Sequence, residues 1–100
     1  MNNLKLEITS KAYNDMEIIS EFIAQDNKPA ANLMMKLFYK TFKMLLTHPN
    51  IGKARKDFTY MDVKFYVVKK SYLIVYRIID DKTLRILRVL TTYQDICAEL

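Results

Sequence analysis

The reactive groups this chain can bring together are mostly cations. Lys53, Arg55 and Lys56 fall within four positions of one short loop, HPNIGKARKD, and Arg77 and Arg88 interrupt two later apolar runs. Tyr93 follows the second of those runs. Such groups stabilise phosphate oxygens or the carboxylates of an acidic protein segment. Metal-free cleavage of RNA would ask for more: a base for the 2′-OH proton, an acid for the leaving oxygen, and cations for the transition-state charge. Lys53, Arg55 and Arg88 would supply the cations. Tyr93 would have to carry the proton, although an unperturbed phenol titrates near ~10. His48 precedes Pro49 at a helix end, where a side chain more often caps carbonyls than performs catalysis. No catalytic constellation stands out, so function is read from binding.

The remaining inventory narrows the classes. One cysteine, Cys97, and one histidine cannot furnish a zinc set, and the lone Gly52 makes no phosphate loop. Neither a metal nor another cofactor is expected. A single thiol excludes an internal disulfide and suits a reducing compartment. The 100 residues carry a net charge of +5, from 16 basic and 11 acidic side chains, which favours polyanions or acidic partners. With 51% apolar residues and no linker-like tract, residues 1–100 read as one folded domain. No stretch approaches the ~20 apolar residues of a membrane span, and a cytoplasmic protein without a membrane association is the expectation.

Periodicity orders the elements that must position these cations. Leu4, Leu6 and Ile8 alternate with Lys5, Glu7 and Thr9 as in a half-buried strand. Ser10 offers a helix cap. Ala12, Met16, Ile19 and Ile23 then recur at helical spacing to about Asp26, with Ile18 and Phe22 widening the stripe and Asp15, Glu17 and Glu21 on the outer side. A second helix runs from about Pro29 to Thr47. Its first stripe is Ala31, Met34, Phe38, Phe42 and Leu45; its second is Ala30, Leu33, Leu37, Met44 and Leu46. That breadth exceeds the need of one sheet face. Either the first helix covers the surplus or part of it docks another protein. Strands follow over Val63–Val67, Tyr72–Ile79 and Thr83–Leu90, joined by tight turns at Lys69-Lys70-Ser71 and Asp80-Asp81-Lys82, with a short helical turn in the tail 91–100. The predicted fold is α+β, βααβββ, an antiparallel sheet packed against a two-helix hairpin.

The order of local motifs resembles the RelE/ParE toxin superfamily, in particular its ParE-like branch. The matching pieces are the opening strand into TSKAYNDMEIISEFIA, then HPNIGKAR, then YLIVYRIIDD, then LRILRVLTTYQDI, and together they span most of the chain. The resemblance implies the toxin of a bacterial type II toxin–antitoxin pair, of the kind associated with plasmid stabilization and addiction, silenced by a cognate antitoxin that wraps along it.

It also implies two possible targets. ParE-like toxins are associated with poisoning DNA gyrase; RelE-like toxins cut messenger RNA on the ribosome. RelE-like chains tend to place an arginine within Tyr-Arg-Leu-Val-Tyr, whereas this chain reads Tyr72-Leu73-Ile74-Val75-Tyr76, followed by the Tyr-Arg common in ParE-like chains. This favours gyrase inhibition by contact, with Lys53, Arg55, Lys56, Arg77, Arg88 and Tyr93 facing the target and no catalytic residue. The alternative is a ribosome-dependent endoribonuclease using Lys53, Arg55, Arg88 and Tyr93 on ribosome-bound mRNA, and a further one an inactive scaffold that only binds antitoxin. The antitoxin is expected on Leu33, Met34, Leu37 and Met44, with its acidic groups on the basic edge of the sheet.

Overall fold

A computed structural model describes residues 4–57, 59, 61–92 and 99. The elements run β1 (Lys5–Ile8), α1 (Ser10–Ala24), α2 (Lys28–Thr47), β2 (Lys64–Val68), β3 (Tyr72–Ile79) and β4 (Thr83–Thr91). The expected helical turn in the tail lies, from residue 93 to 98, outside the described residues, as do Tyr93 and Cys97.

Thr9, rather than Ser10, caps α1. Its hydroxyl accepts from the Ala12 N–H at 3.1 Å and donates to the Leu87 carbonyl at 2.9 Å, so one side chain starts the helix and ties it to β4. The helix stops at Ala24, two residues before the sequence suggested, because Asn27 is needed as the cap of α2, accepting from the Ala30 N–H at 3.0 Å. Pro29 sits in the first turn of α2, where no helical N–H is lost.

The four strands lie in the order β1-β4-β3-β2. The β2–β3–β4 meander is antiparallel, as its short turns dictate. β1 corrects the expectation of a wholly antiparallel sheet: it pairs in parallel with β4, Lys5 to Ile8 against Thr83 to Ile86. The connection between them, through the helix hairpin and then β2 and β3, gives the long crossover that such a parallel pair requires. Both turns of the meander hold non-glycine residues in the left-handed region, Lys69 and Lys70 at φ 51° and 61°, Asp80 and Asp81 at φ 53° and 58°.

The hairpin covers one face of the sheet. Met16, Ile19, Phe38, Phe42 and Leu45 meet Ile74, Tyr76, Leu84, Ile86 and Val89 in the main core. Phe38 also packs edge-on against Tyr72, ring centroids 5.3 Å apart. A smaller cluster of Val63, Phe65, Leu73, Val75 and Leu90 forms on the opposite face, which is thus only partly exposed. In β2, Val68 turns to the main core and Val67 is left exposed.

Candidate partner-binding site

The basic loop is held from beneath by one phenol. Tyr76, fully buried, donates its hydroxyl proton to the Pro49 carbonyl at 2.8 Å and accepts from the Gly52 N–H at 2.9 Å. A Cβ on Gly52 would stand 2.5 Å from that hydroxyl, so only glycine fits there. Burial pushes the Tyr76 phenol above its usual range, against the opposing pull of the Gly52 N–H. The loop then pairs with the edge of the sheet. Lys53 exchanges backbone hydrogen bonds of 3.0 and 2.8 Å with Phe65, which fixes where its side chain leaves the surface.

Downstream, Arg55 grips Asp57 through Nε–Oδ1 and Nη2–Oδ2 contacts of 3.0 and 2.7 Å, and Lys56 is exposed beside them. The pair holds the Arg55 guanidinium above, and the Asp57 carboxyl below, their ordinary ranges.

Arg77 and Arg88, grouped with the loop cations in the sequence reading, take different places. Arg77 is exposed on β3 and stands directly opposite Arg85 of β4, which in turn pairs with Glu7 of β1 at 2.7 Å. Arg88 is diverted. Val75 faces Arg88 while Tyr76 faces Ile86, so Leu87 is the extra residue of a β-bulge. Just past the bulge, Arg88 meets Asp15 of α1, Nε to Oδ2 at 2.7 Å and Nη2 to Oδ1 at 2.9 Å. Asp15 accepts a third bond from the Val89 N–H at 3.0 Å. Its side chain is 10% exposed and that of Arg88 is 16% exposed. Asp15 therefore belongs with the buried side of α1, contrary to its assignment to the outer face; the fork of Arg88 compensates its charge there. Glu99 adds contacts to Arg88 of 3.0 Å through its carbonyl and 3.2 Å through its carboxylate. Asp15 above all, then Glu99, raises the already high pKa of Arg88.

The apolar surface also shifts from its expected place. Met34 is 8% exposed and packs in the core, Leu37 and Met44 are half-buried, and only Leu33 of that expected set stands out, 65% exposed. The larger surplus lies on α1, where Phe22 is 73% and Ile18 57% exposed. These two border a groove of about 480 Å³ between α1 and the ends of β3 and β4, lined also by Ile19, Tyr72, Val89 and the edge of Asp15. The signal was present in the sequence: Ile18 and Phe22 lie four apart on one face, adjacent to the buried stripe of Ala12, Met16 and Ile19. Among the described residues, no helix is long and apolar enough to cross a membrane.

Fold and surface together define a small basic α+β protein with an apolar groove along its first helix and cations on the loop and the far face of the sheet. The family model for the ParE toxin of the type II toxin–antitoxin system parDE matches residues 6–96, and the chain belongs to that family. A solved structure described as a chromosomal ParDE toxin–antitoxin system from P. aeruginosa has a similar fold, with a TM-score of 0.72 at 19% identity over 91% of this chain and 98% of that one. No curated protein sequence matches the chain.

Proposed function

We propose that this ParE-family protein is the toxin half of a type II pair and acts by binding and inhibiting DNA gyrase, held silent by a cognate antitoxin. The observation that carries the choice of contact over cleavage is the state of two positions. Leu73, where an RNA-cutting relative would present an arginine, is a buried leucine packed with Val63, Phe65 and Val75. Arg88, one of the three cations assigned to cleavage, spends its fork on Asp15. A transition state would have to compete with that carboxylate for the guanidinium. The exposed cations Lys53, Lys56 and Arg77 remain suited to an acidic protein surface.

The antitoxin reading rests on the apolar surface. Phe22 and Ile18 beside the groove form an anchor site for a helix or extended segment of the antitoxin, and Leu33 offers a separate exposed apolar point on α2.

A supercoiling assay with purified protein tests the target. Inhibition of gyrase at micromolar toxin, relieved by antitoxin, is the expected outcome. Untouched supercoiling together with cleaved ribosome-bound message in primer extension would replace it with the endoribonuclease reading.

A further inference from the structure

The far face of the sheet carries a rung of charge that the described residues do not balance. Arg77 on β3 and Arg85 on β4 are direct cross-strand partners, and Glu7 on β1 continues the same rung beyond Arg85. Cross-strand neighbours place their Cβ atoms about 4.5–5.5 Å apart, and like charges so placed repel. The rung holds one carboxylate for two guanidinium groups. Glu7 gives it to Arg85, at 2.7 Å from Nε but 3.4 Å from Nη2, and both side chains stay well exposed. Arg77 has no hydrogen-bond or ion-pair partner among the described residues.

Its surroundings strengthen the field. Two residues before Glu7, on the same face by the period of two, Lys5 is exposed. At the other side, Lys53 is hydrogen-bonded through its backbone to Phe65, whose ring packs with Val75 on this same face. The buried side chains of Val63 and Val75 lie alongside the rung. Among the described residues, the exposed and half-exposed charged side chains on this part of the face, Lys5, Glu7, Arg77, Arg85 and Lys53, have no exposed aromatic ring between them on which a nucleobase would stack. A planar guanidinium pair without a stacking platform suits carboxylates, each taken by two parallel N–H···O bonds.

We infer that the Arg77–Arg85 rung is a docking point for an acidic peptide segment, with carboxylates of the partner bridging the two guanidinium groups and giving Arg77 a counter-charge. The inference rests on the toxin–antitoxin reading in one respect: the segment belongs to the antitoxin, which would then hold the protein at two surfaces, the α1 groove and the opposite sheet face. It does not depend on gyrase being the target.

The test uses the full chain and a synthetic oligo-glutamate peptide followed by NMR titration and fluorescence anisotropy. Shifts should centre on Arg77, Arg85 and Lys5. Arg77→Ala should weaken binding about tenfold, the scale of one lost hydrogen bond to a charged group, while Arg77→Lys recovers part of the loss. Lys40→Ala, on the exposed side of α2, removes equal charge from elsewhere and should leave binding unchanged. Equal losses for Arg77→Ala and Lys40→Ala would reduce the effect to net charge and overturn the inference. A short DNA duplex that binds through Arg77 while the peptide does not would overturn it in favour of phosphate recognition. Because Arg77→Ala relieves a repulsion, its thermal stability should equal or exceed that of the parent, which separates a lost ligand from a lost fold. Gyrase inhibition is scored separately, so failure of the peptide to bind leaves the target assignment standing or falling by its own assay.

Discussion

The hydroxyl of Tyr76 sits between the Pro49 carbonyl and the Gly52 N–H and so closes the turn that carries the basic loop. Two sequence motifs whose Gly52 and Tyr76 lie 24 residues apart are thereby one mechanical unit. Tyr76→Phe leaves a buried acceptor and a buried donor unsatisfied and should cost about 2 kcal/mol in urea unfolding. Gly52→Ala drives a methyl group into the same phenol and should cost about 1–3 kcal/mol by overpacking.

The same phenol makes an alkaline prediction. Burial raises the Tyr76 pKa above its reference value of 10.0, so the native state disfavours the phenolate relative to the unfolded chain. The sign follows from linkage: the contribution is complete below about pH 10 and is lost as pH rises through the interval between the unfolded and folded values. Unfolding free energies measured across that interval should fall more steeply for the parent than for Tyr76→Phe.

Asp15 and Arg88 should be mutually dependent. Asp15→Ala removes the bidentate partner of a largely buried guanidinium and leaves it only the more exposed Glu99, for an expected cost of about 3 kcal/mol. Replacing Arg88 by Met in that background should return part of the stability, because the uncompensated charge is gone. A double-mutant cycle in denaturant measures the coupling; additive effects would mean the pair is incidental.

Ile18→Ser and Phe22→Ser should leave stability within about 0.5 kcal/mol of the parent, as exposed substitutions do. Antitoxin affinity should drop sharply for Phe22→Ser, since truncating a central aromatic anchor costs about 2–4 kcal/mol. Calorimetric titration with the cognate antitoxin decides it; unchanged affinity would move the anchor site elsewhere.

Lys69 and Lys70 occupy left-handed positions that Asn-Gly fills with less strain. Exchanging the pair for Asn-Gly should raise the melting temperature, with a gain of about 1 kcal/mol.

What could be read from the sequence was what depends on near neighbours. The stripe of Ala31, Met34, Phe38, Phe42 and Leu45 is buried as a single helix face because its period is local. The meander followed from two short turns. Long-range pairings were not legible: nothing near Lys5 announces Thr83 as its parallel partner. Asp15 was placed on the wet side of α1 because a carboxylate alone belongs in water, and its compensating arginine lies 73 residues away. Ile18 and Phe22 were expected to widen the buried stripe; the sheet had room for one face of the helix, and they were left over. The cations were visible as residue types, but a bulge at Leu87 sent Arg88 to α1 while Arg77 stayed on the sheet, and a bulge leaves little trace in residue periodicity.

The parallel pairing of β1 with β4 has a consequence for the timing of synthesis. The first strand to leave the ribosome waits for the last, and until residues 83–86 emerge the helices have no finished surface to rest on. Contacts so distant along the chain are assembled late and all at once. A polypeptide interrupted before that point would lack the strand that both β1 and β3 pair with.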